Sequence, residues 1–421
     1  MSMTQLESAR NGKITPEMEY VASVEDVTAD DLRDGIATGH VVIPANRRHE
    51  NLEPVGIGAG LRTKVNANIG TSPSRCDTAV EMKKLRVALE AGADAVMDLS
   101  IGGDIDAMRK TVVENCPRPV GTVPVYQSTL EQGGPQNMTA DAFLEGFEKH
   151  ARDGVDFATI HAGVTQGALP LLENRRMGVV SRGGSFIIKW MREHGEESFL
   201  YEQYDRILDI AHEYDVTMSL GDGLRPGCTE DAKDEAQIYE LRILGELAER
   251  ARERGVQVMI EGPGHVPLGD IAENVRLERE LCDQAPFYVL GPLPTDSAPG
   301  YDHIAGAIGG AIAASEGADF LCYLTPKEHV GLPDDEDVRE GVVVARLAAH
   351  VGDLAKGLTS AVERDKAMSA ARTARDWDAM AEHALDPRKF QEMLQDEDKN
   401  DRCSMCGEYC ALRVFGDEMD Q

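Results

Sequence analysis

Three cysteines near the end of the chain lie close enough together to hold a metal centre. Cys403, Cys406 and Cys410 form a C-x2-C-x3-C pattern, whereas the other five cysteines stand singly, as reduced buried cysteines usually do. Three such thiolates suit one face of a cubane iron-sulfur cluster and leave one iron without a protein ligand. The pattern therefore predicts a 4Fe-4S cluster with an open iron, the device expected for reductive cleavage of S-adenosylmethionine.

A structural zinc is the alternative for these cysteines. Such a site needs four ligands, and no fourth Cys or His lies nearby in the sequence. A zinc knuckle completed from elsewhere in the chain, or cysteines with no metal, therefore stays open as the simpler explanation.

Two histidines form a second candidate metal site. His265 lies in EGPGHVP and His329 in TPKEH, each just after a predicted strand. Two histidines on different loops make an incomplete metal shell, which leaves positions for substrate or water. Each histidine alone is more simply a surface or packing residue, and only the shared position favours a metal.

Two glycine-containing loops have the composition of anion sites. One runs from Ser181 through Arg182 and Gly183 to Ser185 as SRGGS, and the other is DGLRPG at residues 222–227. Glycines let backbone N–H groups approach a phosphate, and arginine binds it bidentately. Either loop alone is as consistent with a plain turn, but the two together predict a phosphate site.

Polar or adaptable side chains also recur at the ends of predicted strands. They are Asn68, Met97, Tyr126, His161, Asp222, Glu261, Tyr288 and His329. Core packing is the alternative for Met97 and Tyr288 individually. Because every predicted strand contributes one candidate, packing alone does not explain the set.

The elements that position these residues are eight short β-rich runs separated by segments of helical spacing. The runs are VNANIG at 65–70, AVMDLS at 95–100, VPVYQ at 123–127, FATIHAG at 157–163, VTMSLGDG at 216–223, VQVMIEGPG at 256–264, FYVLGP at 287–292 and FLCYLTP at 320–326. Between them, stretches such as 79–91 and 238–252 show the apolar spacing of helices. Eight alternating units favour a (β/α)8 TIM-type barrel of the α/β class, with its active site at the carboxyl ends of the strands. A doubly wound open sheet is the alternative.

The flanking segments differ from this pattern. Residues 1–64 are polar apart from HVVIP at 40–44, and we expect a short N-terminal segment before a catalytic barrel over 65–338. After Pro333 the apolar spacing is helical, which predicts a helical C-terminal arm over 339–421 that carries the cysteine motif.

Composition excludes several classes of partner. With 74 acidic and 43 basic residues, the net charge is −31, which disfavours nucleic acid and anionic membranes. No apolar run approaches the ~18 residues of a membrane span, and no apolar signal segment stands at residues 1–10. We therefore expect a cytoplasmic enzyme that acts on small molecules.

Several motifs together resemble the phosphomethylpyrimidine synthase family of thiamine biosynthesis. They are KVNANIG, VMDLS, TIHAG, SRGGS, DGLRPG, MIEGPGHVP, GPLPTD, PGYDHI, TPKEH and CSMCG. The resemblance, which runs from about residue 40 through the cysteine tail, implies a noncanonical radical S-adenosylmethionine (radical SAM) lyase on a (β/α)8 barrel. Such enzymes rearrange 5-aminoimidazole ribotide into 4-amino-5-hydroxymethyl-2-methylpyrimidine phosphate, with release of formate and carbon monoxide.

The resemblance also implies roles for individual residues. The expected substrate shell is Asn68, Met97, Tyr126, His161, Ser181, Arg182, Gly183, Asp222, Gly223, Leu224, Arg225, Glu261 and Tyr288, with Glu261 as the catalytic candidate. His265 and His329 match the ligands of a second metal, usually zinc, and the three tail cysteines match the cluster ligands. Family members are homodimers in which the arm of one subunit closes over the barrel of the other, and they require an electron donor.

Two departures from the family pattern leave alternatives open. The common tail is C-x2-C-x4-C, one residue longer than here. Many bacterial members also have a long N-terminal domain, which in this chain is reduced to about 64 residues. Short members with compact tails include 5-hydroxybenzimidazole synthases, which start from the same ribotide, so the loop motifs do not separate the two products. A non-catalytic metal- or nucleotide-binding protein on a barrel is the third hypothesis, against which the intact cysteine triad stands.

Overall fold

Eight parallel strands close into a barrel in the computed structural model, which describes residues 3–25, 27–395, 405–412 and 414. The described residues form ten strands, of which the last eight build the barrel: β1 Val41–Val42, β2 Ile57–Gly58, β3 Lys64–Ile69, β4 Ala95–Asp98, β5 Val120–Thr122, β6 Phe157–Ile160, β7 Thr217–Leu220, β8 Val258–Gly262, β9 Phe287–Leu290 and β10 Phe320–Cys322. Strands β3 to β10 follow one another around the barrel in chain order, and β10 closes it by pairing with both β9 and β3. The predicted (β/α)8 barrel is confirmed, and the open sheet is excluded.

Helices separate the strands and surround the barrel. They are α1 Gln5–Arg10, α2 Pro16–Glu25, α3 Ala29–Thr38, α4 Thr78–Glu90, α5 Ile105–Asn115, α6 Pro124–Glu131, α7 Ala140–Arg152, α8 Arg182–His194, α9 Phe199–Glu202, α10 Tyr204–Tyr214, α11 Glu235–Glu253, α12 Ile271–Leu281, α13 Asp302–Glu316, α14 Asp335–Lys356, α15 Thr359–Ala374, α16 Trp377–His383 and α17 Pro387–Gln395. The segments predicted to be helical at 79–91 and 238–252 correspond to α4 and α11.

The strand register brings side chains from neighbouring strands to one level of the barrel. Asn68 pairs with Met97, and Glu261 pairs with Tyr288. Most strand residues are buried on both faces, which explains the near-continuous apolar runs in the sequence. The carboxyl ends of all eight strands therefore present their polar residues to one shared end.

One strand lies earlier in the chain than the sequence predicts. The third barrel strand is β5 at Val120–Thr122, whereas residues 124–127 of the predicted VPVYQ strand at 123–127 lie in helix α6. Pro124 occupies the first turn of that helix, where its fixed φ and missing N–H fit. Tyr126 therefore lies on the first turn of a helix above the strand rather than on the strand itself.

The N-terminal segment packs against the amino ends of the barrel strands. Strands β1 and β2 pair antiparallel. Buried Asp156, just before β6, accepts hydrogen bonds from the Asn46 N–H at 2.9 Å and the Val120 N–H at 2.7 Å, and it contacts His49 Nδ1 at 2.7 Å. These contacts join the segment to the barrel at the end opposite the polar strand termini.

The chain divides into two compact units, Met1–Lys356 and Gly357–Gln421. Helix α14 packs on α13 within the first unit, and the domain boundary predicted at residue 339 falls inside α14. The second unit contains α15 to α17 and a 3-10 turn at Gly407–Tyr409. In the described part of the chain, no helix combines the length and hydropathy needed to cross a membrane.

Candidate active site

An open cavity of about 520 Å³ lies at the carboxyl ends of the strands. Eight of the predicted site residues line it: Asn68, Met97, Tyr126, His161, Asp222, Arg225, Glu261 and Tyr288. Active sites of (β/α)8 barrels form at this end because loops from every strand meet there. The structure thus brings together side chains that are up to 220 residues apart in sequence (68 to 288).

Glu261 is held by two hydroxyl groups from neighbouring strands. Thr159 Oγ1 donates to its Oε1 at 2.6 Å, and Ser219 Oγ donates to the same oxygen at 2.7 Å. Oε2 accepts no hydrogen bond within the described residues. Burial raises the pKa of Glu261, and the two hydroxyl donors oppose that rise. The carboxyl group is therefore fixed at one oxygen and open at the other, as a proton acceptor requires.

Asp222 and Arg225 form an ion pair in the loop after β7. Arg225 Nη1 lies 3.0 Å from Asp222 Oδ1, while Asp222 Oδ2 is buried and has no hydrogen-bond partner within the described residues. Burial raises the pKa of Asp222 to about 7, although Arg225 favours the charged form. The guanidinium brings a permanent positive charge to the cavity.

His161 is a buried, uncharged imidazole. Burial, reinforced by the positive charge of Arg225, lowers its pKa to about 3. Its Nε2 lies 3.2 Å from Ser181 Oγ, and no described residue offers a hydrogen-bond partner to its Nδ1. Its ring packs on Gly183, where a Cβ would come within 2.2 Å of His161 Cε1. Gly183 thus makes room for the imidazole.

The SRGGS motif forms the start of helix α8. Ser181 caps the helix by accepting the Gly184 N–H at 3.2 Å. The Gly184 backbone packs directly on Gly223, since a Cβ on Gly184 would lie 2.2 Å from the Gly223 carbonyl oxygen. The two glycine loops are therefore neighbours in space, and Ser181, Gly183, Gly223 and buried Leu224 contribute packing and backbone groups rather than cavity-lining side chains.

Arg182 lies beside Tyr126 and lines an adjoining cavity. Its guanidinium carbon is 4.9 Å from the centre of the Tyr126 ring. The adjoining cavity, about 870 Å³ and open, shares Asn68 and Leu99 with the first. The site therefore has two connected compartments.

Sequence reasoning missed four polar residues of the site: Asn66, Thr159, Ser219 and Cys322. Asn66 Nδ2 donates to Asn68 Oδ1 at 2.7 Å and to the Tyr288 hydroxyl at 2.8 Å. Asn68 Nδ2 lies 3.2 Å from Cys322 Sγ. Asn66 and Thr159 each lie two residues before a predicted site residue, so the two-residue period of a strand could have revealed them.

His265 and His329 come together beyond the ends of β8 and β10. Their ring centres are 5.3 Å apart. Nδ1 of His265 lies 2.8 Å from Asp296 Oδ1, and Nδ1 of His329 lies 2.8 Å from Asp302 Oδ1. A carboxylate on one ring nitrogen is the usual arrangement for a histidine that binds metal through the other. Within the described residues, no group of three or more His, Cys, Asp or Glu side chains gathers for a metal.

Two of the three tail cysteines lie in the described residues, and Cys403 lies outside them. Cys406 is exposed and Cys410 is half-buried, with the 3-10 turn Gly407–Tyr409 between them. Gly407 has a φ of 52°, in the left-handed region that glycine adopts freely. The tight turn and accessible thiols are compatible with ligands of one cluster.

The chain is similar to one family over nearly its whole length. Residues 4–417 match the model of the Radical SAM ThiC family. A phosphomethylpyrimidine synthase from Desulforamulus reducens is 56% identical over 98% of this chain and 97% of its own. One from Moorella thermoacetica is 56% identical over 99% and 98%.

The barrel also has structural neighbours. A solved dihydropteroate synthase from Coxiella burnetii, in complex with pteroic acid, aligns with 74% of this chain and 99% of its own. The two share 11% identity with a TM-score of 0.43.

Proposed function

Because this chain belongs to the Radical SAM ThiC family, we propose that it acts as a phosphomethylpyrimidine synthase of thiamine biosynthesis on 5-aminoimidazole ribotide. The expected product is 4-amino-5-hydroxymethyl-2-methylpyrimidine phosphate. The observation that carries this proposal is the single cavity lined by Glu261, the Asp222–Arg225 pair and His161. The cavity offers a small, charged substrate a proton acceptor, a cation and a neutral imidazole.

Arg225 and Arg182 are the proposed contacts for the phosphate group. Tyr126 lies close to both guanidinium groups, so an anion beside that ring would meet two positive charges. Charge-assisted bidentate hydrogen bonds are the strong contacts that arginine makes to phosphate. The start of α8 adds its first backbone N–H groups, which point toward an anion at a helix N-terminus.

Glu261 is the proposed proton acceptor. The hydroxyls of Thr159 and Ser219 orient it, and its raised pKa brings it nearer to the working pH, where a general base is most effective. Asn68, Met97 and Tyr288 would then position the ring and ribose of the substrate.

The family implies S-adenosylmethionine and an iron-sulfur cluster as cofactors. When bound, they supply a carbon radical through reductive cleavage of S-adenosylmethionine. The tail cysteines are the proposed cluster ligands, because closely spaced thiolates are the donors that iron-sulfur clusters use. The adjoining cavity opens beside the substrate cavity and shares Asn68 and Leu99 with it, so S-adenosylmethionine bound there would lie next to the ribotide.

Zinc is the proposed second metal. The centres of the two imidazole rings are 5.3 Å apart, and the Nδ1 atom of each ring is hydrogen-bonded to a carboxylate. The two histidines therefore fit two ligands of an open metal site, whose other positions belong to water or substrate. Their role here would be to hold the ion at the rim of the barrel.

A homodimer, an external electron donor and a cytoplasmic location complete the proposal. Helices α13 and α14 pack together, and their outer surface exposes Ile304, Ile308, Leu347 and Val351 by 44 to 52%. An apolar surface of this kind favours burial against another subunit. Light scattering with size-exclusion chromatography tests the dimer, and replacing Ile308 and Leu347 by Asp should yield monomers.

Anaerobic turnover of the reconstituted protein with the ribotide, S-adenosylmethionine and a reductant tests the activity. The expected products by mass spectrometry are the pyrimidine phosphate, formate and 5′-deoxyadenosine. Accumulation of 5-hydroxybenzimidazole would overturn the proposal.

A further inference from the structure

A small cavity lies between the DGLRPG loop, strand β8 and helices α11 and α12, and we call it the rear cavity. Its volume is about 320 Å³, and its polar lining includes Asp222, Arg225, Gln237, Glu240, Glu261 and Asn274. Asp222, Arg225 and Glu261 also line the substrate cavity. Only these side chains and the neighbouring Gly262 are shared, so the rear cavity adjoins the reacting end of the barrel.

Glu240 of α11 points its carboxyl group at this loop. Its Oε2 accepts the Leu224 N–H at 2.7 Å, and its Oε1 lies 3.2 Å from the place that a Cβ on Gly223 would occupy. The side chain is buried, and Oε1 has no hydrogen-bond partner among the described residues. The loop that carries Asp222 and Arg225 is thus hydrogen-bonded through its backbone to one carboxyl group of helix α11, which lies outside the barrel.

Two unpartnered carboxyl oxygens face the rear cavity region. Glu240 Oε1 and Asp222 Oδ2 are both buried without a hydrogen bond in the part of the chain that the structure describes, and both residues line the cavity. Buried polar atoms without partners are costly, and a polar cavity with room for a water molecule is where such atoms find one. One water between the two oxygens would satisfy both.

The charges around Glu240 and Asp222 decide which of them carries the proton. Burial, and then the nearby Asp222, raise the pKa of Glu240 well above its ordinary value, whereas the backbone N–H groups of Leu224 and Gly223, and then Arg175, oppose the rise. Asp222 lies 3.0 Å from Arg225, whereas Glu240 forms no ion pair within the described residues. Glu240 is therefore the group that keeps its proton when Asp222 ionises.

We propose that Glu240 is a positioning residue that, as an uncharged carboxyl group, holds Asp222 and the loop carrying Arg225 through a water molecule in the rear cavity. Its Oε1–H donates to the water, and the water donates to Asp222 Oδ2. Only the consequence for turnover rests on the proposed function, because the charge state and the contacts of Glu240 do not depend on it.

The test is an infrared titration of Asp222 in the full-length protein, with Asp222→Asn identifying its carbonyl band. With Glu240→Gln the midpoint should stay near that of the wild type, since an amide also donates to the water and accepts from Leu224. With Glu240→Leu the midpoint should rise by about one to two pH units, because ionised Asp222 loses a hydrogen bond. If Glu240 instead carried a charge, both substitutions would remove a like charge and lower the midpoint, which would overturn the proposal.

Turnover supplies the second readout. Glu240→Gln should keep kcat within about twofold, whereas Glu240→Leu should lower it about tenfold or more. Glu278→Gln is the matched control, because Glu278 is an equally buried carboxyl on α12 whose pKa is also raised by burial, and it should change neither the midpoint nor kcat. Loss of activity in Glu240→Gln equal to that in Glu240→Leu would contradict the role. If the wild type fails to convert the ribotide, the infrared result still decides the proposal.

Discussion

Individual side chains at the carboxyl ends of the strands are held in charge states that burial dictates. His161 is neutral, Glu261 has a raised pKa, and Arg225 keeps its charge beside Asp222. Burying such groups costs free energy unless each finds a partner. The site therefore gives up stability to present one cation, one base and one neutral imidazole to the same cavity.

Arg225 and Arg182 should each contribute to the affinity for the ribotide's phosphate. Arg225→Ala or Arg182→Ala should weaken ribotide binding by about ten- to a hundredfold, because each removes a charge-assisted contact worth about 1.5–3 kcal/mol. Isothermal titration with the ribotide and with the unphosphorylated riboside measures the difference. Arg176→Ala, an exposed arginine paired with Glu230, is the control and should bind normally. A riboside that binds the wild type as tightly as the ribotide does would contradict the assignment.

The carboxylates behind the two rim histidines should tune metal affinity. Asp296→Asn or Asp302→Asn should reduce zinc affinity by about ten- to a hundredfold, since each fixes the ring that would bind the metal. His265→Ala and His329→Ala should each lower metal content about as much as the double variant, because two ligands of one site act as a unit. Metal analysis after dialysis measures the zinc content of each variant. His212→Ala, at a histidine paired with Glu7 near the N-terminus, should leave zinc content unchanged, and zinc retained by all rim variants would refute the site.

At the scale of elements, the barrel and the cysteine tail belong to separate compact units. The barrel core is built from strands β3 to β10 and the helices around them. The tail contributes a short turn with exposed or half-buried thiols. Metal chemistry at the tail can therefore be removed without removing packing from the barrel.

Cys406→Ala should abolish cluster loading and formation of 5′-deoxyadenosine while the barrel stays folded. The expected change in Tm is small, because an exposed side chain away from packed features changes stability by about 0.5 kcal/mol or less. Iron analysis, the visible absorbance of the reconstituted protein and thermal melting check the three parts. Cys76→Ala, at an exposed cysteine of the barrel unit, should load a cluster normally. A fully loaded, active Cys406→Ala protein would disprove the ligand assignment.

At the scale of the whole molecule, buried ionisable groups and net charge should shape stability against pH. Burial lowers the pKa of His161 to about 3 from its ordinary 6.5, so below about pH 6.5 the unfolded chain binds a proton that the folded chain does not, and stability falls. Burial raises the pKa of Asp215 to about 7 from 3.8, so its contribution is present below the unfolded pKa and is lost as pH rises through about 7. Between about pH 4 and 6.5 the two effects therefore oppose each other, and the loss from Asp215 is complete once the pH exceeds about 7.

The stability difference between Asp215→Asn and the wild type should therefore grow as the pH rises from about 4 to about 7 and stay constant above that, because asparagine has no proton to lose. Melting temperatures of the two proteins across this range measure the difference, and the φ of 60° at this position suits asparagine. Added salt should raise Tm, because a net charge of −31 repels itself less when it is screened. A Tm difference between Asp215→Asn and the wild type that does not change between about pH 4 and 7, or a Tm that salt lowers, would contradict this account.

The order of strands and helices, and the end of the barrel that carries function, can be predicted from the amino-acid sequence alone. Apolar runs and helical spacing are local properties, and parallel strands in a closed barrel must place their carboxyl ends together. The same reasoning predicted eight of the residues that line the cavity. The cysteine spacing is equally local, which is why the chemistry of the tail could be proposed without coordinates.

The three-dimensional structure was needed to show how these residues contact one another. It moved the third strand to Val120–Thr122, set Gly184 against Gly223, and brought His265 to 5.3 Å from His329. It also showed that Thr159, Ser219 and Glu240 hold Glu261 and the Asp222 loop. Such contacts join residues far apart in the chain, and their geometry depends on strand register and helix packing, which no local pattern of residue types encodes.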